Sequence, residues 1–387
     1  MKKSYILTFF LIIFLIGLHL NPIVFNDNSN NIKTSSNRPK IVTYMSITED
    51  WTRQLLRNVE ADIHVLVQGN EDIHSYDPSS ESLLKMDGAD LFVKLNIPIE
   101  TYADQISSQF PNVPIVNLWV NITEDPVWGY QPRKDPVWQH PANPPNMHMW
   151  TSPSIARNFI HRLAEGLKST IGTELMNNTI DANLQVYDLQ LNNTITWLST
   201  ISKKEEYREL KLIPFHPAFL YYLEDDLNLT RIAVIEEKPG VEISAQHLDY
   251  IRSILNNTCT IVWHPQESIS KRYVNDLSIE TGAKITMLTP IIPIRTPSEW
   301  VPKFGSQIDS FLEMVEFNTY QLSNASPYQY NQNDEAIGGY EIFILLILIM
   351  GLSSIVFVLK RRRIYERNNS ILKNESSIKK RWKTNFD

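Results

Sequence analysis

Short apolar runs alternate with amphipathic stretches along most of the chain, and their spacing predicts an architecture. Residues 40–45 read KIVTYM, 63–67 IHVLV, 90–94 DLFVK and 113–118 VPIVNL, each short and rich in β-branched or aromatic side chains, as buried strands are. Helical periodicity fills the first intervals, from Thr48 through 59 and from Ser79-Ser80-Glu81 toward Met86. A second set follows, with strands at 212–216, 231–235, 260–263 and 284–288. Helices are predicted near 218–224, from Ser244 through 255, over 269–281 ahead of Gly282, and over 300–321. Repeated strand, loop and helix units favour parallel sheets covered on both faces.

Between the two sets the period is helical throughout. Ser152 is placed to cap a helix with Pro153 at its first position and Ile155, Phe159, Leu163 and Leu167 along one side. A further helix is predicted over 181–199, carrying Leu184, Val186, Leu189, Leu191 and Ile195. The fold class is therefore α/β. Two lobes, each a mainly parallel sheet flanked by helices, are expected over 39–180 and 206–321, joined by a single long helix over 181–205.

One stretch breaks the pattern. Residues 125–145 hold six prolines and the near repeat Asp125-Pro126-Val127-Trp128 and Asp135-Pro136-Val137-Trp138. A loop of this length within a compact domain is usually either functional or disordered. His140 lies in it, read as an exposed loop histidine ahead of a weak metal contact.

Two longer apolar runs mark the ends. Residues 1–25 begin with Lys2-Lys3-Ser4 and continue as YILTFFLIIFLIGLHLNPIVF, a signal peptide or an uncleaved signal anchor. A polar tether over 26–38 follows. Near the other end, a polar stalk over 322–335 leads into a transmembrane helix over 336–359, about the ~20 residues that span a bilayer core. Lys360-Arg361-Arg362-Arg363 then opens a basic tail over 360–387, which the positive-inside rule assigns to the cytoplasm. The expected location is the cell membrane, crossed once or twice, with the globular part outside.

Composition sharpens this picture. At 387 residues, 43% hydrophobic and 20% charged, the chain is globular in type and long enough for two units. The tail carries ten Lys or Arg and three Asp or Glu, so the net charge of -7 less that +7 leaves -14 for the rest. An outer region this acidic disfavours nucleic acid and suits cations. The single cysteine, Cys259, excludes an internal disulfide. Sequons at Asn121, Asn177, Asn192, Asn228, Asn256 and Asn324 are compatible with external glycosylation.

Candidate chemistry rests on three histidines. His74, His148 and His216 lie 74 and 68 residues apart, each at the end of a predicted strand or in a loop leading to a helix. In open α/β sheets ligands bind beyond the strand carboxyl ends. Three neutral imidazoles converging there suit Zn(II) over Mg(II) or Ca(II). The other reading of the same residues is that they cap helices or fill polar pockets. His64, His161 and His247, within predicted elements, are assigned to structure, and His19 lies in the leader.

From Pro39 to about Leu322 the chain resembles the zinc/manganese substrate-binding proteins of ABC transporters, the periplasmic-type class with two lobes joined by a long helix. Asp72-Ile73-His74-Ser75-Tyr76-Asp77-Pro78, with the later Gly88-Ala89-Asp90-Leu91-Phe92-Val93, is similar to the segment carrying the first ligand histidine. Met147-His148-Met149-Trp150-Thr151-Ser152-Pro153 resembles the second, and Pro214-Phe215-His216-Pro217-Ala218-Phe219-Leu220-Tyr221-Tyr222 the third. Ile261-Val262-Trp263-His264-Pro265-Gln266, Thr281-Gly282-Ala283 and Leu288-Thr289-Pro290 follow the remaining segments in order.

The resemblance implies His74, His148 and His216 as metal ligands, Zn(II) as the bound substrate with Mn(II) the alternative, an ABC permease as partner, and no enzymatic activity. A His at 216 rather than Glu implies zinc ahead of manganese. Two departures bear on the site. Thr289 stands where many relatives have a carboxylate ligand, and His264 where they have Glu before Pro-Gln. The fourth ligand is left open among water, Glu236, Glu237, Glu267 and His264. The His-rich insertion of zinc members is missing, and the Pro and Trp-rich loop occupies about its place. Two competing readings are a surface receptor or adhesin using the fold for protein contacts, and a zinc hydrolase, which would need an open coordination position beside Glu237 or Glu267.

Overall fold

The computed structural model describes residues 38–69, 71–265, 268–293 and 308–327. The apolar run over 1–25, the segment 336–359 and the tail 360–387 lie outside these residues. Among the described residues no helix is long and apolar enough to cross a membrane.

The first unit runs β1 (Lys40–Met45), α1 (Ser46–Leu55), β2 (Asp62–Val67), α2 (Ser80–Met86), β3 (Leu91–Lys94), α3 (Ala103–Gln109) and β4 (Ile115–Asn117). Its strands are all parallel, in the order β2-β1-β3-β4. The central strands β1 and β3 are buried along nearly their whole length, which a sheet covered on both faces requires. Two long helices follow, α4 (Pro153–Thr170) and α5 (Glu174–Ile201), then the short α6 (Glu205–Arg208). The second unit consists of β5 (Lys211–Pro214), β6 (Thr230–Arg231), α7 (Ala245–Ile254), β7 (Cys259–Trp263), α8 (Ser268–Thr281), β8 (Lys284–Met287), α9 (Phe311–Ser323) and β9 (Ser326–Pro327). Its order is β6-β5-β7-β8-β9, parallel except for β9 at the edge.

Several boundaries differ from those the periodicity suggests. Helix α1 begins before Thr48, because the Thr48 hydroxyl folds back onto Met45, accepting from its N–H at 3.3 Å and donating to its carbonyl at 2.8 Å. It ends at Leu55 and not at 59, since Asn58 turns the chain with a positive φ of 66°. Helix α3 is too short, with only Ala103 and Ile106 buried, to announce itself by periodicity. The helix expected near 218–224 is a 3-10 turn, Pro217–Phe219, followed by a wider π turn, Tyr222–Asp226. The linking helix is not 181–205 but α5, capped by Thr173 and 28 residues long. Residue 322 does not open a stalk: Leu322 is buried in the core, and β9 adds to the sheet beyond it. The strand expected over 231–235 joins the ladder only at Thr230–Arg231. Even so, the amides of Ile235 and Glu236 reach the carbonyls of Pro214 and Phe215 at 2.9 and 2.8 Å, which carries Glu236 alongside residue 216.

One apolar core runs through both units. Trp51 of α1 packs on Phe159 of α4 and edge-on against Phe311 of α9, with ring centroids 6.3 and 5.5 Å apart. Leu288, Ile291 and Ile292, after β8, belong to the same cluster. A smaller core around Ile213, Phe215, Ile235 and Val274 serves the second sheet alone. At Gly69, just after β2, the backbone of Ile292 comes so near that a Cβ would sit 1.7 Å from its carbonyl oxygen. An interface that is apolar and shared in this way resists large hinge motions between lobes.

Candidate metal site

His74, His148 and His216 come from three separate connections and meet in one small cavity of about 20 Å³. One ring nitrogen from each lies within 4.8 Å of those of the other two. Each residue is placed by its own local device.

His74 sits in the loop after β2. Asp72 builds a tight turn there, one carboxylate oxygen accepting from the His74 amide at 2.9 Å and the other from the Ser75 hydroxyl at 2.9 Å. Its neighbour Ile73 is buried, so the loop is pinned beside a ring that is itself only half-buried.

His148 closes the proline-rich segment and precedes the 3-10 turn Met149–Thr151, whose residues are all buried. The Asn146 side-chain oxygen accepts from the His148 amide at 3.0 Å and lies 3.0 Å from its Nδ1. The Asn146 amide group donates to the Pro217 carbonyl at 2.8 Å, which fixes which way the side chain faces. A carbonyl oxygen can only accept, so Nδ1 of His148 carries the proton and Nε2 presents a lone pair. Ser152 then caps α4, accepting from the Ile155 amide at 3.3 Å, and this holds the backbone behind His148 still.

His216 follows β5 at the head of the turn Pro217–Phe219. Its Nδ1 lies 2.5 Å from Oε2 of Glu236, whose other oxygen accepts from the Gly240 amide at 2.9 Å. Both residues are almost fully buried. Again the outer nitrogen is the donor and Nε2 faces inward. A carboxylate behind a ligand histidine in this way fixes the tautomer and raises the basicity of the inner nitrogen.

The inner nitrogens of His148 and His216 are therefore alike, and that of His74 is close to them. Nε2 of His148 lies 3.1 Å from Nε2 of His216 and 3.5 Å from Nε2 of His74. Tetrahedral zinc with bonds of ~2.0–2.1 Å sets neighbouring nitrogens roughly 3.3 Å apart, between these two values.

The proline-rich segment is a packed strap, neither disordered nor a free loop. Its repeated Asp-Pro-Val-Trp units are two side-chain turns: Asp125 accepts from the Val127 and Trp128 amides at 3.0 Å each, and Asp135 from the Val137 amide at 3.1 Å. Asp135 also forms a fully buried two-pronged pair with Arg231, both contacts at 2.8 Å, which ties the strap to the second unit. The Trp138 indole donates to the Glu236 carbonyl at 2.8 Å. The strap thus braces the surroundings of His148 through Asn146 and of His216 through Glu236. By sequence Asp135 and Trp138 stood out only as parts of a near repeat, and Asn146 and Arg231 had no role assigned. Only Asn146, two residues before a histidine in a loop, carries a local signature of its role.

The open fourth position can now be narrowed. Glu236 stands behind His216 and does not face the cavity as a ligand. Glu237 accepts from the Ser244 amide at 2.9 Å, at the start of α7. Glu267 lies outside the described residues. Thr289 is fully buried, its hydroxyl donating to the Ile291 carbonyl at 2.5 Å and its backbone paired with the Asn318 side chain. His264 lines the same cavity as the three ligand candidates. Three other histidines are occupied elsewhere: His247 lies 3.0 Å from the Val234 carbonyl, His161 stacks on Trp128 at 3.9 Å beside Asp188, and His140 accepts from the Ala142 amide. Burial and the nearby Lys238 charge hold the His140 pKa below its usual range.

A sequence profile of the family described as zinc-uptake complex component A, periplasmic, matches residues 41–325. The chain belongs to this family. The zinc-binding lipoprotein AdcA of Streptococcus pneumoniae strain R6 is 22% identical over 275 residues, covering 68% of this chain and 52% of that one. The chain thus spans about half the length of the AdcA relatives it matches. The iron-binding protein YfeA of Yersinia pestis is 24% identical over 293 residues, 74% of this chain and 88% of its own. In three dimensions a ZnuA crystal structure superposes with a TM-score of 0.59 at 19% identity, over 74% of this chain and 99% of that one. The Zn(II)-bound AdcA from Streptococcus pneumoniae gives 0.55 at 21% identity, over 76% and 59%. The chain thus shares the family's α/β fold.

Proposed function

We propose that this chain is an extracytoplasmic, membrane-anchored solute-binding protein that captures a divalent transition-metal ion, zinc ahead of manganese, and passes it to an ABC permease. His74, His148 and His216 are the ligands in this reading. The observation that carries it is the pair of inward Nε2 atoms 3.1 Å apart on His148 and His216, both made acceptors by the donors' partners behind them, Asn146 and Glu236. Two lone pairs at that separation repel, and a cation between them converts the repulsion into coordination. Nitrogen ligands favour zinc over manganese in the ordinary affinity order. The zinc-binding AdcA relatives and the iron-binding YfeA support a transition metal as cargo.

Binding, and not turnover, fits the set. A catalytic zinc keeps an open position with a general base beside it. Here Asp72 is engaged in the His74 turn with both oxygens and Glu236 behind His216 with both of its own. Anchoring rests on the apolar run 336–359 and the basic residues after it.

Elemental analysis of the full-length protein, with calorimetric titration of Zn(II) and Mn(II), tests the reading. Stoichiometric zinc, bound more tightly than manganese and lost by orders of magnitude in His148→Ala, is expected. A protein that takes up neither ion would overturn the proposal and favour a surface receptor built on the same fold.

A further inference from the structure

We infer that His264 is the fourth ligand of this site, which makes it a four-imidazole centre. The inference rests on the metal-capture reading above and adds a residue to it.

Register is the first argument. Strands β5 and β7 are parallel neighbours with Pro214 opposite Val262, and the Phe215 amide still reaches the Val262 carbonyl at 2.6 Å. Continuing that register by two residues sets His264 opposite His216. Side chains at matching places on adjacent parallel strands project to the same face. Both histidines therefore leave the same sheet edge, at the carboxyl ends of the strands, on one side.

Ring geometry is the second. The centroids of His216 and His264 are 5.3 Å apart and their planes are 80° to each other. Within the proposed trio the corresponding separations are 5.6 Å for His74 and His148, 5.0 Å for His74 and His216, and 4.9 Å for His148 and His216. The fourth ring is thus as near to His216 as the other three are to one another. It is also only 5% exposed and lines their cavity. His264 is not part of the cluster within 4.8 Å, so as a ligand it would have to turn its ring toward the other three.

Competing donors are the third. The position after β8, where the resemblance leads one to expect a carboxylate, holds Thr289 with its hydroxyl tied to the Ile291 carbonyl. The two acidic residues at the cavity, Glu71 and Asp72, already accept from the Gln68 amide and from the His74 turn. In effect the last ligand has moved one strand inward, from β8 to β7. A shell of four imidazoles lacks the oxygen ligand that a harder ion prefers, which sharpens the preference for zinc over manganese.

The test uses full-length protein, wild type and carrying His264→Ala, His264→Gln or His216→Ala, each checked for folding by its thermal transition. Zinc affinity is read by competition with a chromophoric chelator, and ligand type by the visible spectrum of the Co(II)-loaded protein. Both His264 variants are expected to bind zinc at least tenfold more weakly and to show an altered Co(II) spectrum, with His216→Ala weaker still. If both His264 variants bind zinc within about threefold of wild type and give a superposable Co(II) spectrum while His216→Ala fails, the His264 assignment is wrong and the three-ligand reading stands. If His216→Ala also binds as wild type does, the metal-capture reading itself falls.

Discussion

Replacing Glu236 with Gln tests how much of the site lies behind its ligands. The carboxylate accepts two N–H groups, from Nδ1 of His216 at 2.5 Å and from the Gly240 amide at 2.9 Å. A carboxamide of the same shape has one accepting oxygen and one donating nitrogen. Whichever way it turns, its NH2 meets one of these donors. If it faces Gly240, a buried amide loses its partner, at a cost of roughly 1–3 kcal/mol. If it faces His216, Nδ1 must become an acceptor, the proton moves to Nε2, and the lone pair aimed at the metal is lost. Removing such an outer partner weakens metal binding by about 10–100-fold, or ~1.4–2.7 kcal/mol. The expected result is a zinc affinity reduced within that range, with the metal-free protein still folding cooperatively. Chelator competition on wild type and Glu236→Gln measures it. An affinity within twofold of wild type would refute the claim that Glu236 fixes the His216 tautomer.

Further outcomes follow from other contacts. Gly69→Ala puts a methyl 1.7 Å from the Ile292 carbonyl oxygen, so the loop that carries His74 has to shift; a lower thermal midpoint and weaker zinc binding are expected together, and an unchanged midpoint would contradict it. Asp135→Asn removes the buried two-pronged carboxylate from Arg231 and leaves it only the 2.9 Å contact to Glu224, which should cost about 1–3 kcal/mol in denaturant unfolding, and an unchanged midpoint would contradict it. Burial raises the Glu100 pKa from its ordinary 4.5 to about 7, so its folded form holds a proton that the unfolded chain releases. The stability this confers is full below about 4.5 and is lost as pH rises toward 7; the unfolding free energy of wild type relative to Glu100→Gln should fall by about 3 kcal/mol between pH 4.5 and 7.5, and a flat difference would sink the assignment.

The alternation of apolar runs was enough to read two parallel α/β units and a long helix between them. What it could not supply were the places where long-range contacts override local pattern. Helix α3 buries only two side chains, too few to leave a period. The 231–235 run looks like a strand because Ile232, Ala233, Val234 and Ile235 are apolar, yet the sheet accepts only its first residues. The strap read as irregular because its order comes from single polar contacts, Asp135 with Arg231 and Trp138 with Glu236, across about 96 and 98 residues of sequence. The convergence of His74, His148 and His216 was legible as three like residues in like settings. The tautomers of His148 and His216 were not, since these depend on Asn146 and Glu236, whose roles appear only once the chain is folded.

The three rings are not held alike, and that asymmetry bears on how an ion would leave. His148 and His216 are almost fully buried, and each is fixed by a partner that is itself bonded twice, Asn146 to Pro217 and Glu236 to Gly240. Their surroundings include the Asp135–Arg231 pair and a Trp150 indole bonded to the Pro290 carbonyl at 2.8 Å, so moving either ring breaks buried polar contacts in both units. His74 is only half-buried, and the Asp72 turn that orients its backbone closes within its own loop. Displacing that loop disturbs Ile73 in the core but leaves the buried polar pairs Asp135–Arg231 and Trp150–Pro290 in place. If the three histidines hold an ion as proposed, then with the shared apolar core resisting hinge opening the least costly route to release would be withdrawal of His74, leaving the ion on the more rigid His148 and His216 until the rest of the shell exchanges.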